Sequence, residues 1–228
     1  VGGVVRDLLL GRPSEDLDLA VGEARLVDYA RMKFAPLKDT PHSLVSHLDG
    51  PVRATLPLTT PWRLIMVATS PGRLLEQNSL FLNLNDACAI EDTSWIKPGK
   101  VIREVTLTTA GGKACVDFAD QHGLEYVHFD AGWYGHEYDE ASDARTVTLD
   151  PKRSQGPLDL HEVIAYAKQR DIGVILYVNR RALEKQLDEI LPLYKQWGIS
   201  GVKYGFVNVG SQKWTSWLHD AIRKAADH

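Results

Sequence analysis

From about residue 109 the chain alternates amphipathic and continuously apolar stretches in a repeating order. KACVDFADQH has helical spacing, ends at Gly123 and is followed by LEYVHFDAGW; LHEVIAYAKQRDI ends at Gly173 before VILYVN. LEKQLDEILPLYKQW ends at Gly198 before GVKYGFVN, and SQKWTSWLHDAIRKAAD begins a fourth helix. Each glycine stands where a helix C′ residue in the left-handed conformation is wanted, and each strand reads as part of a buried parallel sheet. Leu183, Leu187, Ile190, Leu191 and Tyr194 form the stripe of the third helix. Trp214, Trp217, Leu218 and Ile222 do so in the fourth, as core packing rather than a ligand box. Such βα units wind right-handedly into an open doubly wound sheet or part of a (β/α)₈ barrel. No Gly-rich phosphate loop follows these strands, which favours the barrel.

Between about residues 50 and 90 the pattern is different. VRATLPLT, WRLIMVAT and SLFLNLN are short β-rich runs separated by Pro61 and by the Pro71-Gly72 turn, and they predict antiparallel strands. The fold class is therefore α/β with a few antiparallel strands ahead of it.

Composition narrows the function. With 44% hydrophobic and 25% charged residues over 228 positions, the chain is ordinary for a globular protein with a sizeable core. A net charge of −4 without a Lys/Arg stripe gives no reason to expect nucleic acid as a partner. No apolar run approaches the eighteen or so residues of a membrane span, so no membrane partner is expected. Cys88 and Cys115 are too few for a disulfide scaffold and read as idle thiols. The chain begins inside a Gly-Gly motif without a signal peptide and ends within a helical pattern, so both ends read as interruptions and the location stays open.

The opening, GGVVRDLLLGRPSEDLDLA, carries its own chemistry. Gly2 and Gly3 allow close backbone approach, Arg6 supplies a cation, and Asp16 and Asp18 would share one face of a strand, as a Mg²⁺ pair requires. The spelling resembles the catalytic head of the tRNA nucleotidyltransferase and poly(A) polymerase family over about twenty residues; a short helix, loop and strand without activity is the other reading.

In a barrel, chemistry collects at the C-terminal ends of the strands. That rule singles out FDAGWYGHEYDEASDA, NRRA and YGFVNVGSQ. In the first, Asp130, Trp133, Tyr134, His136, Glu137 and Asp139 crowd together. An aromatic face stacks on the apolar side of a sugar while carboxylates accept its hydroxyl hydrogens, so this is a candidate sugar site; a polar surface loop with a plugging Trp is the alternative.

Long motifs then carry a wider resemblance. TPWRLIMVATSPGRLLEQNSLFLNLN, DTSWIKPGKVIREVTLTT, FDAGWYGHEY, LDPKRSQGPLDLHEVI, VILYVNRRALEKQLDEILPLYKQWG and GVKYGFVNVGSQKWTSWLHDAIRKAADH closely resemble glycoside hydrolase family 97, the α-glucosidase and α-galactosidase family, from about residue 30 to the end. The resemblance implies the first half of a (β/α)₈ barrel over 94–228, preceded over 31–93 by the end of an incomplete β-sandwich. It leaves 1–30 as a nucleotidyltransferase-like segment joined between Val21 and Met32. It implies a Ca²⁺-dependent hydrolase of α-linked oligosaccharides in a periplasmic or secreted setting.

Where the retaining branch places a nucleophilic Asp in Lys-x-Asp, this chain has Lys203-Tyr204-Gly205, which resembles the inverting, α-glucosidase branch; close packing at a strand end is the other reading of Gly205. The resemblance puts the acid, the base and the Ca²⁺ ligands outside the chain, so no catalytic or metal residue is assigned. Asp130, Trp133, His136, Glu137 and Lys203 remain as sugar-binding residues: Trp133 the stacking ring, Lys203 a positioning cation and the others polar contacts. A half barrel would leave the strand YGFVN with an open edge, which predicts self-association. The alternatives are a nucleotidyltransferase using Asp16 and Asp18 with Mg²⁺, and a non-catalytic carbohydrate-binding fragment.

Overall fold

WRLIMVA alternates as a half-buried strand should. In β4 (Trp62–Ala68), Leu64, Met66 and Ala68 are buried while Arg63, Ile65 and Val67 face outward. This computed structural model describes residues 18–40 and 43–228. Those residues divide into two compact units: the chain up to Glu91 together with Val209–Asp220, and Asp92–Asn208 together with Ala221–His228.

In the first unit β4 pairs antiparallel with β1 (Asp18–Ala24), from Asp18 opposite Ala68 to Ala24 opposite Trp62. The interval from Val21 to Met32 therefore begins inside a paired strand. A second antiparallel pair joins β2 (Met32–Pro36) to β3 (Leu44–Leu48). Asp49, just past β3, ties this hairpin, accepting from Arg31 Nη2 and Lys33 Nζ at 2.8 Å each.

Three expectations fail here. VRATLPLT forms no strand, because Pro57 interrupts it, Pro51 and Pro61 flank it, and each lacks a backbone donor. Pro71 starts a helix, α1 (Pro71–Glu76), and SLFLN is a second, α2 (Ser79–Asn83). Proline is at home in a first helical turn, where its missing N–H costs nothing, so the Pro-Gly pair is a start and not a turn.

The second unit is a parallel sheet of four strands in sequence order: β5 (Val101–Glu104), β6 (Tyr126–Phe129), β7 (Gly173–Asn179) and β8 (Gly201–Gly205). Sequential order and parallel pairing are those of a barrel wall. Strand β5 lies ahead of the repeat that the sequence displays. The helices between strands are α3 (Thr109–His122), α4 (Leu160–Lys168) and α5 (Arg180–Trp197). Each starts on a side-chain cap: Thr108 accepts from Gly111 N at 2.9 Å, Asp159 from Glu162 N at 2.9 Å and Asn179 from Arg181 N at 3.1 Å.

Gly123 and Gly198 end α3 and α5 in the left-handed region, at φ 63° and 83°. Gly173 does not serve α4 in this way. Asp171 takes the positive φ of 56°, and Gly173 opens β7 where a β-carbon would lie 2.6 Å from Tyr126 Cδ1. The predicted stripe of α5 is fully buried. That of α6 (Gln212–Ala226) is not: Trp214 and Trp217 are half-buried, edge to face at 6.2 Å, and Ile222 is exposed. Cys88 is exposed, Cys115 is half-buried, and both are free.

One glycine tests the packing of α3 on the sheet. A β-carbon on Gly112 would stand 2.8 Å from Val163 Cγ2 and 2.9 Å from Phe129 Cζ. Helix propensity favours alanine by about 1 kcal/mol, but overpacking a core costs about 1–3 kcal/mol. Gly112→Ala should therefore lower stability by about 1 kcal/mol in urea unfolding; a stabilised variant would refute this packing.

Candidate functional site

Alternation sorts the parallel sheet into two faces. Val127, Phe129, Val174, Leu176 and Val178 are buried on the helix-covered side. The other side carries Arg103, His128, Tyr177 and Lys203, with Arg103 in register with His128 and Tyr177 in register with Lys203. Asp130 follows β6 two residues after His128, and its carboxylate gathers these groups. Oδ2 lies 3.0 Å from Arg103 Nε and 3.6 Å from Lys203 Nζ, while Oδ1 accepts the Ala131 N–H at 2.9 Å. Burial pushes this carboxyl up, but the Ala131 N–H, Lys203, Arg103 and His128 together hold it below the ordinary aspartate range.

His128 is 7% exposed, and its Nε2 has no hydrogen-bond partner among the described residues. Burial lowers its pKa and the two cations add to this, against the pull of Asp130. A cleft of about 310 Å³ opens beside Asp130, lined by Arg103, Leu107 and Arg153 among others.

The loop from β5 to α3 that borders this cleft hangs on one buried carboxylate. Glu104 is 1% exposed; Oε1 accepts from the Thr106 N–H and hydroxyl, and Oε2 accepts from Leu107 N at 2.7 Å. Leu107 is thereby kept at a φ of 53°.

Of the five residues expected to bind sugar, the structure brings Asp130 and Lys203 together. Trp133 requires a correction. It is fully buried, with its Nε1–H donating to the Tyr177 carbonyl at 2.8 Å and its rings set edgewise against Tyr134, Tyr194 and Trp197, so neither face is open for stacking. Glu137 is also buried, and its Oε1 accepts from Arg153 Nη2 at 3.1 Å. Arg153 Nε stands 3.7 Å from buried Asp150, so the guanidinium serves two interior carboxylates and Glu137 is a loop anchor here. His136 is exposed, its Nδ1 accepting from Tyr138 N at 3.3 Å.

The open aromatic faces belong to Tyr138 and Phe206, both within the strand-end segments but not among the five expected sugar-binding residues. Phe206, just after β8, is 70% exposed at a φ of 51°, and its ring centroid lies 6.4 Å from that of Tyr138, which is 44% exposed. The His136 ring lies 5.7 Å from Tyr138. A non-glycine residue held at positive φ marks local strain, which clusters at functional rims. His128 had a signal as a polar residue inside the apolar run YVHF, and Phe206 lies in the strand-end segment YGFVNVGSQ, where nothing local distinguishes its ring.

Comparison with known proteins identifies the family. The profile described as Glycoside hydrolase 97 matches residues 94–228, and Glycosyl-hydrolase 97 N-terminal matches residues 5–87. The chain belongs to glycoside hydrolase family 97. The second match takes in most of the opening stretch. For the nucleotidyltransferase reading, Asp16 lies outside the described residues and Asp18 is the first residue of β1.

A retaining alpha-galactosidase of Bacteroides thetaiotaomicron is 29% identical over 195 residues, covering 80% of this chain and 28% of that protein. A probable retaining alpha-galactosidase of Streptomyces bingchenggensis is 31% identical over 183 residues, covering 75% of this chain and 27% of that protein. The chain thus spans little more than a quarter of the length of these two relatives. A family 97 enzyme from Pseudoalteromonas sp. strain K8, solved with acarbose, superposes with a TM-score of 0.74 at 23% identity over 93% of this chain and 38% of that one. A beta-arabinopyranosidase gives 0.69 at 15% identity over 92% and 35%.

The polar face sets a pH dependence. A histidine whose folded pKa lies below its unfolded value near 6.5 binds fewer protons when folded, so its burial costs nothing above that value and destabilises as pH falls below it. Between pH 7 and pH 5 the chain should lose stability, and His128→Asn should lose clearly less in parallel urea titrations. Equal losses would show that His128 protonates freely in the folded chain.

Proposed function

We propose that this chain supplies one wall of the sugar site of a family 97 α-glycoside hydrolase, which holds an α-linked oligosaccharide against the C-terminal ends of β5–β8. The observation that carries this is the Asp130 carboxylate kept ionised by Arg103 and Lys203 beside an open cleft. An ionised carboxylate accepts sugar hydroxyl hydrogens, and the two cations donate to sugar oxygens while fixing its position. Tyr138 and Phe206 take over the stacking role first given to Trp133. The acarbose complex of the Pseudoalteromonas family member supports an oligosaccharide as the ligand class.

Glycoside hydrolysis needs two carboxylates, and neither is assigned within this chain. Gly205, at the end of Lys203-Tyr204-Gly205, supports an inverting enzyme of the α-glucosidase type, since glycine offers no nucleophile. A second reading, retention on an α-galactoside, is favoured by the names of the two curated relatives and requires a nucleophile at another position. Calcium enters this proposal only through the family resemblance. Among the described residues no group of three or more His, Cys, Asp or Glu could hold a metal ion, and no step here runs through one.

Anomer-resolved NMR of a full-length hydrolase carrying this segment separates the two readings: the β-anomer of glucose appearing first supports inversion, and an α-anomer first overturns it. In the same protein Phe206→Ala and Tyr138→Ala should each weaken oligosaccharide binding by about five-fold, the equivalent of roughly 1 kcal/mol for a lost stacking face. Trp133→Ala should instead lower stability by about 3–5 kcal/mol. Unchanged affinity in both rim variants would remove the stacking role. Saccharide binding without turnover would select the carbohydrate-binding alternative.

A further inference from the structure

Gly205 does not leave open space. A β-carbon built on it would fall within the edge of the Tyr177 ring, 2.5 Å from the Tyr177 hydroxyl oxygen. Tyr177 stands on the neighbouring strand and the same face, two residues before Asn179, which is the register partner of Gly205. Its side chain leans along the strand towards the sheet's C-terminal edge and covers the position diagonally across.

The ring is held there from several directions. Tyr177 is 3% exposed, its hydroxyl oxygen accepts from Asn179 Nδ2 at 3.1 Å, and its backbone carbonyl accepts the Trp133 Nε1–H at 2.8 Å. Lys203 Nζ sits 5.5 Å from the ring centroid. Asn179 is itself fully buried and fixed by capping α5 through Arg181 N. The ring cannot swing aside without breaking the Asn179 bond in a closely packed region.

We propose that Tyr177 is the specificity-determining residue for what the end of β8 presents. Its ring fills the side-chain space of position 205, so only glycine fits while Tyr177 is present. Its hydroxyl stands where a strand-end carboxylate would otherwise project. That oxygen accepts from Asn179, so its own O–H remains able to donate to a water or a sugar oxygen on the polar face. The absence of a nucleophile at 205 is then a property of the pair, and a carboxylate there requires a smaller residue at 177. The stereochemical part of this inference rests on the hydrolase reading above; the packing part does not.

The test is a double-mutant cycle in the 228-residue chain. Gly205→Ala should lower Tm by roughly 5–10 °C, the shift expected from overpacking in a domain of this size. In a Tyr177→Leu background, which removes the far ring atoms, the same substitution should lower Tm by less than about 2 °C. Tyr177→Val is a second background should the first fail to fold. A Gly205→Ala variant as stable as the parent chain overturns the proposal, as does an equal loss in both backgrounds.

The same changes in a full-length hydrolase give a readout that packing alone does not move. Tyr177→Leu with Gly205→Asp should release the α-anomer first, while Gly205→Asp alone should be inactive. Retention by the Gly205→Asp single variant counts against the pair. Hydrolysis by none of the forms, the unsubstituted segment included, sinks the hydrolase reading, and the melting cycle then decides the pair by itself.

Discussion

A parallel strand has two faces, and in this chain one of them is sealed. Helices α3, α4 and α5 cover the side on which Val127, Phe129, Val174, Leu176 and Val178 lie, and burying those side chains contributes roughly 1.5–3 kcal/mol for each large one. Register is thereby fixed, because a slip by one residue would send these groups to the other face and bring Arg103, His128, Tyr177 and Lys203 under the helices. Burying an unpaired cation is far costlier than exposing a valine. The polar face is a consequence of the apolar one, and the site inherits its geometry from that constraint.

On that face the electrostatics favour a single arrangement. Asp130 is partly withdrawn from water, which disfavours its charge, but two cations and a backbone N–H more than compensate and the carboxylate stays ionised. The same cations act in the opposite sense on His128, adding to its desolvation and keeping it neutral. A neutral imidazole can donate or accept, and its Nε2 has no protein partner among the described residues. One strand, β6 with its following residue, therefore presents a fixed acceptor beside an uncommitted polar group, which suits recognition of hydroxyl groups better than capture of a charged ligand.

Much of this fold was legible because local rules agreed with the tertiary outcome. Gly123 and Gly198 stop helices, Thr108, Asp159 and Asn179 start them, and the apolar runs between are strands. Failures came where one residue type serves two rules. Pro71 reads locally as a turn but starts a helix; Gly173 reads as a helix stop but is a point of close approach, the positive φ falling to Asp171. A strand near Asp18 was legible in the opening stretch, but its pairing with Trp62–Ala68 was not, because the partner lies about forty residues or more along the chain. For the site, strand-end logic found Asp130 and the family resemblance found Lys203; one residue pair before Asp130 stands His128, and its register partner on β5 is Arg103.

Trp133 shows why composition misleads within a loop. A tryptophan among carboxylates reads as a sugar platform, yet its indole N–H must find an acceptor once the ring is buried, and it finds the Tyr177 carbonyl. That bond fastens the long loop after β6 to β7 at the residue whose ring covers Gly205. The buried Trp thus supports the polar face from behind. The rings left for a ligand are Tyr138, farther along the same loop, and Phe206, on the turn that leaves β8. Loop anchor and ligand surface are separate residues because an anchor needs both ring faces packed and a platform needs one of them free.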